Sequence, residues 1–304
     1  MKLSARLLIA LLLLAALVAS AYGLLHAGIY GFAVFVTIPV ALGGLASWTV
    51  QSTTGPRAAG TGVLAVLVAT LSLLLMREEG IMCIVMCLPI TLPLGAAGGY
   101  AAYLVSRSRA AARGTVAIFL LLPPTTLAYD THAQPAVYTV KTSIEIAAPP
   151  EKVWQKLIGL SQIPGPSEWY FRAGLAYPTS ARIEGAGSGA ARYCDFSTGP
   201  VVETIEVWDA PRVLRFRVTA TPAPMREWNP FGDISPKHLH GYMLSREGEF
   251  RLAPLPGKRT LLAGTSWYQH GLWPAQYWRL WTDAIVHRIH LRVFRQIKAL
   301  AEHS

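Results

Sequence analysis

Asp283, His287 and His290 stand four and then three residues apart in the segment WTDAIVHRIH. On a helix turning about 100° per residue they share one narrow arc. Arg288, Arg292 and Arg295 fall on nearly the opposite side, and Val286, Ile289, Val293, Ile297 and Leu300 form an apolar stripe that adjoins the arc. The triplet is therefore expected to look inward. Three uses fit an inward acid with two imidazoles. The group can be a hydrogen-bonded clamp, because a buried polar group left unpaired is destabilising. Asp283 can orient a histidine whose other ring nitrogen moves a proton. The imidazoles can also bind zinc if His238 and His240, two apart in SPKHLHGYM, reach the helix. No HExxH, cysteine cluster, GxSxG or P-loop is present to choose among these, and none of the readings calls for a cofactor.

The elements that must position the triplet begin at Ala136. AVYTVKTSIEIAA alternates with the period of a strand, and PPEKVWQKLIGL then supplies proline and Glu151 at a helix start with Val153, Trp154, Leu157 and Ile158 as its apolar face. Strand patterns follow at TSARIEGAG, AARYCDFST, VVETIEVWD, RVLRFRVTAT, GEFRLAPL and RTLLAGTSWYQ, and a long helix opens at Pro274. The connection PAPMREWNPFGDISPKHLHGYM is far longer than a hairpin needs, which marks it as a candidate lid or binding loop. Cys194 has no partner cysteine in this half, so no internal disulfide is expected there.

IEIAAPPEKVW and ARYCDFSTGPVVETIEVWDAPRVLRFRV, within residues 136–302, resemble the START-like or SRPBCC superfamily, in its polyketide cyclase/dehydrase and lipid-transport branch. The resemblance implies an α+β helix-grip fold, in which a curved antiparallel sheet wraps the long carboxy-terminal helix around a cavity for a hydrophobic ligand. It carries over no catalytic residue, because the cavity side chains of this superfamily vary with the ligand.

The preceding residues are of another kind. The 304-residue chain is 52% hydrophobic and only 14% charged, where about a quarter is usual for soluble proteins. Mean hydropathy is +0.36. Seven of 27 basic and two of 17 acidic residues precede residue 130. Apolar runs at Leu7–Leu25, Ile29–Val50, Gly60–Met76 and Ile81–Val105 are long enough to cross a bilayer, and a shorter, proline-bearing run covers Gly114–Tyr129. The expected division is a transmembrane region over residues 1–129 and the helix-grip domain over 130–304. The first run also has the basic start, apolar core and Ala19-Ser20-Ala21 of a secretory signal. Lys2, Arg6, Arg57, Arg107, Arg109 and Arg113 fall in alternate connections, which places the amino terminus inside and, if the fifth run crosses, the second half outside the cytoplasm. The expected location is thus the cell membrane, multi-pass, with the lipid bilayer as a partner. The spans carry no lysine, arginine or acid, which argues for anchoring rather than transport. Cys83 and Cys87, and the glycines of ALGGLAS and PLGAAGGYAA, are expected to serve helix packing.

Aromatic residues gather where the last helix begins. Trp267, Tyr268, Trp273, Tyr277, Trp278 and Trp281 can pack a core, ring a cavity mouth or lie at a headgroup layer. Trp267, Tyr277, Trp281 and His290 are the candidate ligand contacts. The pI of about 9.7 comes with no recognisable nucleic-acid-binding motif, so no nucleic acid is expected. The expected function is binding or transfer of a hydrophobic small molecule or lipid by a membrane-anchored domain. The alternatives are a cyclase/dehydrase-like enzyme and a structural partner of another envelope protein.

Overall fold

A computed structural model describes residues 2–106, 112–130, 132, 135–160 and 162–303. The chain divides into two compact units. The first holds residues 1–134 together with Glu227–His238 and Leu272–Gln276, and the second holds Pro135–Arg226, Leu239–Gly271 and Tyr277–Ser304.

The first unit is helical: α1 (Lys2–His26), a π-helical turn (Ala33–Thr37) running into α2 (Ile38–Val50), α3 (Gly55–Leu75), α4 (Ile81–Ser106) and α5 (Ala112–Asp130). Four segments are long and apolar enough to cross a membrane: Leu7–His26, Ala33–Val50, Gly55–Leu75 and Ile81–Ser106. They correspond closely to the first four apolar runs of the sequence. The fifth run forms α5, which continues through Pro123 and Pro124 and is not among those four. Small residues set the helix spacing, since a Cβ at Gly43 or Gly62 would collide with the Gly95 carbonyl. That is the use expected of these glycine-rich stretches. Asp130 closes the bundle by accepting bonds from the amides of Phe32 and Ala33 at 2.7 and 2.9 Å, next to the π turn.

The second unit contains β1 (Val137–Ile146), α6 (Pro150–Ile158), the single turn α7 (Trp169–Arg172), β2 (Pro178–Glu184), β3 (Ala191–Phe196), β4 (Gly199–Asp209), β5 (Val213–Ala220), β6 (Met243–Leu255), β7 (Arg259–His270) and α8 (Ala275–Glu302). The strands form one antiparallel sheet in the order β1-β7-β6-β5-β4-β3-β2. The sheet curls as a half-barrel about α8, which is the helix-grip architecture. Alternation decides the faces: Val140, Thr142 and Ile146 are buried on β1, while Val137, Thr139, Lys141, Ser143 and Glu145 are exposed. Leu214, Phe216, Phe250 and Leu262 from the sheet pack with Val293, Phe294 and Ile297 of α8. Gly264 permits this close crossing, because a Cβ there would stand 2.5 Å from the Phe294 ring.

The face of α8 opposite the triplet is not all solvent. Arg292 is buried, its Nε donates to the Pro178 carbonyl at 3.3 Å and its Nη2 to that of Pro164, and its guanidinium lies 5.2 Å over Tyr177. Helical periodicity places Arg292 on that side correctly but cannot reveal that the stretch leading to β2 covers it.

Candidate functional site

A cavity of about 170 Å³ lies between the sheet and α8. Ile285, Val286, Ile289, His290, Val293 and Phe294 form its helical wall, the spacing of a single helix face. Phe196, Val201, Phe216 and Phe250 make the sheet wall apolar, and Thr221–Pro224, the start of the long connection, line it as well. The middle of that connection, Glu227–His238, folds with the first unit instead.

Polar groups enter this apolar space at two places. On the sheet, Arg192 of β3 and Glu203 of β4 are directly paired in register and joined by a buried ion pair. The Arg192 guanidinium also lies 4.9 Å over the Phe216 ring. Burial pushes the Glu203 carboxyl upward, against the pull of Arg192. Burial likewise drives the neighbouring Cys194 thiol up to about 12, so at neutral pH it is a protonated packing group and not a nucleophile.

The second place is His290 of the triplet, with Ser266 and Tyr268 beside it. His290 is buried, with Nε2 2.8 Å from Ser266 Oγ and Nδ1 3.0 Å from Thr142 Oγ1. The same Thr142 hydroxyl lies 2.8 Å from Nδ1 of His287, a residue at the exposed edge of the helix. Burial, with a smaller contribution from His287, lowers His290 to about 4, which keeps its imidazole neutral at physiological pH. Asp283 bonds to neither imidazole: it accepts from the Tyr268 hydroxyl and, at 3.1 Å, from Arg279 Nε. Burial and then Asp283 push the Tyr268 hydroxyl above its usual range, so it remains a donor. The triplet thus fastens α8 to β1 and β7 through Thr142, Ser266 and Tyr268. Its inward sense is complete at His290, partial at Asp283 and marginal at His287.

The remaining sequence candidates are dispersed. Trp267 is out of phase with the inward Ser266 and Tyr268 and lies under the Arg215 guanidinium, 5.3 Å away. Tyr277 stacks edge-on against buried Trp278, and Trp281 is half-buried. Of the four proposed ligand contacts, His290 alone is part of the cavity lining. His238 belongs to the first unit, and His240, His287 and His290 to the second. Among the described residues, the group of metal-ligating side chains that converges is Glu79, Cys83 and His238.

Sequence reasoning missed Thr142, Ser266 and the Arg192–Glu203 pair. The signal was present: each is a polar residue on the buried phase of an alternating strand, where an apolar residue is the rule.

Residues 138–269 match the family model described as polyketide cyclase / dehydrase and lipid transport. Comparison with curated proteins gave no match. Solved structures similar to the chain include a protein from Nitrosomonas europaea, at 14% identity over 53% of this chain and 92% of that one, with a TM-score of 0.35. Truncated norcoclaurine synthase from Thalictrum flavum is 10% identical over 57% of this chain and 98% of its own, with a TM-score of 0.37. The Zhui aromatase/cyclase of a Streptomyces species is 20% identical over 55% and 94%, with a TM-score of 0.34. The carboxy-terminal half is thus a helix-grip domain, a seven-stranded antiparallel sheet gripping one long helix, and residues 138–269 within it are similar to the polyketide cyclase / dehydrase and lipid transport family.

Proposed function

We propose that this protein binds a small hydrophobic molecule in the cavity of its SRPBCC domain and holds that domain at a membrane through its apolar helices. The observation that carries the reading is the cavity itself, with walls of phenylalanine, valine and isoleucine and a few convergent polar groups, the usual composition of a small-molecule site. Its size narrows the ligand. At about 170 Å³ it compares with the roughly 150 Å³ engineered apolar cavity that takes up benzene. One ring or a short acyl segment fits, and a whole diacyl lipid does not. Transfer of a lipid would therefore involve part of the molecule only.

Membrane anchoring draws support from the four long apolar helices and from the exposed Leu8, Leu12, Leu64, Val68 and Leu71 on α1 and α3, a surface suited to hydrocarbon. With α5 as a fifth crossing, the carboxy-terminal half lies outside the cytoplasm. Native mass spectrometry of the detergent-extracted full chain tests the main reading. A bound apolar molecule of one-ring size supports it, and a chain that never carries or takes up such a molecule contradicts it.

An enzyme acting on the bound molecule is the second reading, favoured by one observation. His287, Thr142, His290 and Ser266 form a continuous hydrogen-bonded chain from the exposed edge of α8 to the cavity wall. Such a chain can pass a proton to or from the Ser266 hydroxyl while His290 stays neutral overall. Loss of turnover in His290→Gln with binding retained would support this reading over simple binding.

A further inference from the structure

The first unit holds a polar cluster that the ligand cavity does not use. Glu79 precedes α4, Cys83 lies in its first turn and His238 comes from the 3₁₀ turn Lys237–Leu239. One ligand atom from each lies within 4.8 Å of the others, and all three residues are buried. We propose that Glu79, Cys83 and His238 bind a divalent transition metal, with zinc as the best match to one carboxylate oxygen, one thiolate and one imidazole.

The surroundings are built as a metal site requires. Glu79 Oε1 accepts from the Tyr30 hydroxyl at 2.8 Å, while Oε2 stands 3.4 Å from His238 Nδ1. The other imidazole nitrogen, Nε2, lies 3.8 Å from Glu227. Glu227 in turn accepts from the amides of Met82 and Cys83, at 3.2 and 2.9 Å. Its approach requires Gly80, where a Cβ would collide with the carboxylate. A second group thus holds Glu79 through the Tyr30 hydroxyl and the backbone of Cys83 through Glu227, whose carboxylate also lies beside the His238 ring. Two buried carboxylates share one imidazole, an arrangement whose desolvation a dication offsets better than one imidazolium. Glu79 and Cys83 also border a cavity of about 70 Å³, room for water or a small ligand at a fourth position.

The full chain, extracted in detergent and titrated with zinc, should bind it stoichiometrically by elemental analysis. Replacing zinc by cobalt(II) should give a thiolate-to-metal absorption band. Cys83→Ser should remove that band, and His238→Ala should remove the metal. Cys87→Ser, which alters the same cavity wall but none of the three ligands, should retain both. Tyr30→Phe should weaken zinc about 10- to 100-fold. Wild-type protein that takes up no zinc, or a cobalt spectrum lacking the thiolate band, overturns the proposal without reference to any variant's folding. Full zinc retention in both Cys83→Ser and His238→Ala overturns it as well.

Discussion

Thr142 Oγ1 stands 3.0 Å from Nδ1 of His290, and at 2.8 Å it also meets Nδ1 of His287. A hydroxyl has one proton, so it donates to one imidazole and accepts from the other. The tautomers of the two histidines are thereby coupled, and that of His290 sets whether Ser266 donates or accepts. A strand residue thus fixes the protonation pattern of a helix 145 residues away in sequence.

Thr142→Val keeps the shape of the side chain and removes this hydroxyl. It should destabilise the second unit by about 1–3 kcal/mol, the usual consequence of leaving a buried partner unsatisfied. Thr142→Ser should recover most of the loss. Chemical denaturation followed by near-ultraviolet circular dichroism reads the difference, and equal stability of the valine and wild-type chains would remove Thr142 from the network.

His290 gives stability a pH dependence whose sign follows from burial. Its folded value, lowered to about 4, lies below the ordinary 6.5. The unfolded chain therefore binds the proton first as pH falls. The contribution is fully present above pH 6.5 and is lost as pH drops toward 4, on the order of 3 kcal/mol across the window. His290→Gln should flatten the decline between those values. A His290 imidazole titrating near 6.5 by nuclear magnetic resonance in the folded chain, assigned by comparison with His290→Gln, would contradict the burial argument.

Arg192 and Glu203 predict a non-additive pair. Glu203→Gln strands a buried guanidinium and should cost about 3–5 kcal/mol, whereas replacing both residues with Met and Leu should recover most of that stability. A double-mutant cycle measures the coupling, and additive effects would show that the two groups do not share one buried charge system.

Orientation is checked by a reporter fused after Ser304. Alkaline phosphatase activity is expected if α5 completes a fifth crossing, and cytoplasmic fluorescence of a green fluorescent reporter at the same place would give the opposite orientation.

The outline of this molecule is written locally, and so it was legible. Unbroken apolar runs mark the helices of the first unit, and alternation about Val140 and Ile146 marks β1. The helical arc that carries Asp283 and His290 also meets the sheet as expected. What was not legible depends on contacts across long sequence separations. Trp267 reads as a cavity aromatic until its strand phase places it beside Arg215. Asp283 reads as a partner for histidine until Tyr268 and Arg279 claim its oxygens. His238 sits in a loop whose composition suggests a lid, and nothing in its neighbours along the chain points to Glu79 or Cys83. Glu79 itself reads as a connection residue, because periodicity carries no information about what folds over a loop.

Titration of the detergent-solubilised full chain with a one-ring phenol tests the central claim, an apolar ligand cavity under α8, most directly. Calorimetry should give saturable one-to-one binding with a negative heat-capacity change, the mark of buried apolar surface. Ile289→Trp, which places a bulky ring in the helical wall of the cavity, should abolish binding while leaving the circular dichroism spectrum unchanged. Absence of saturable binding in the wild-type chain, or undiminished binding in the folded tryptophan variant, would contradict the account.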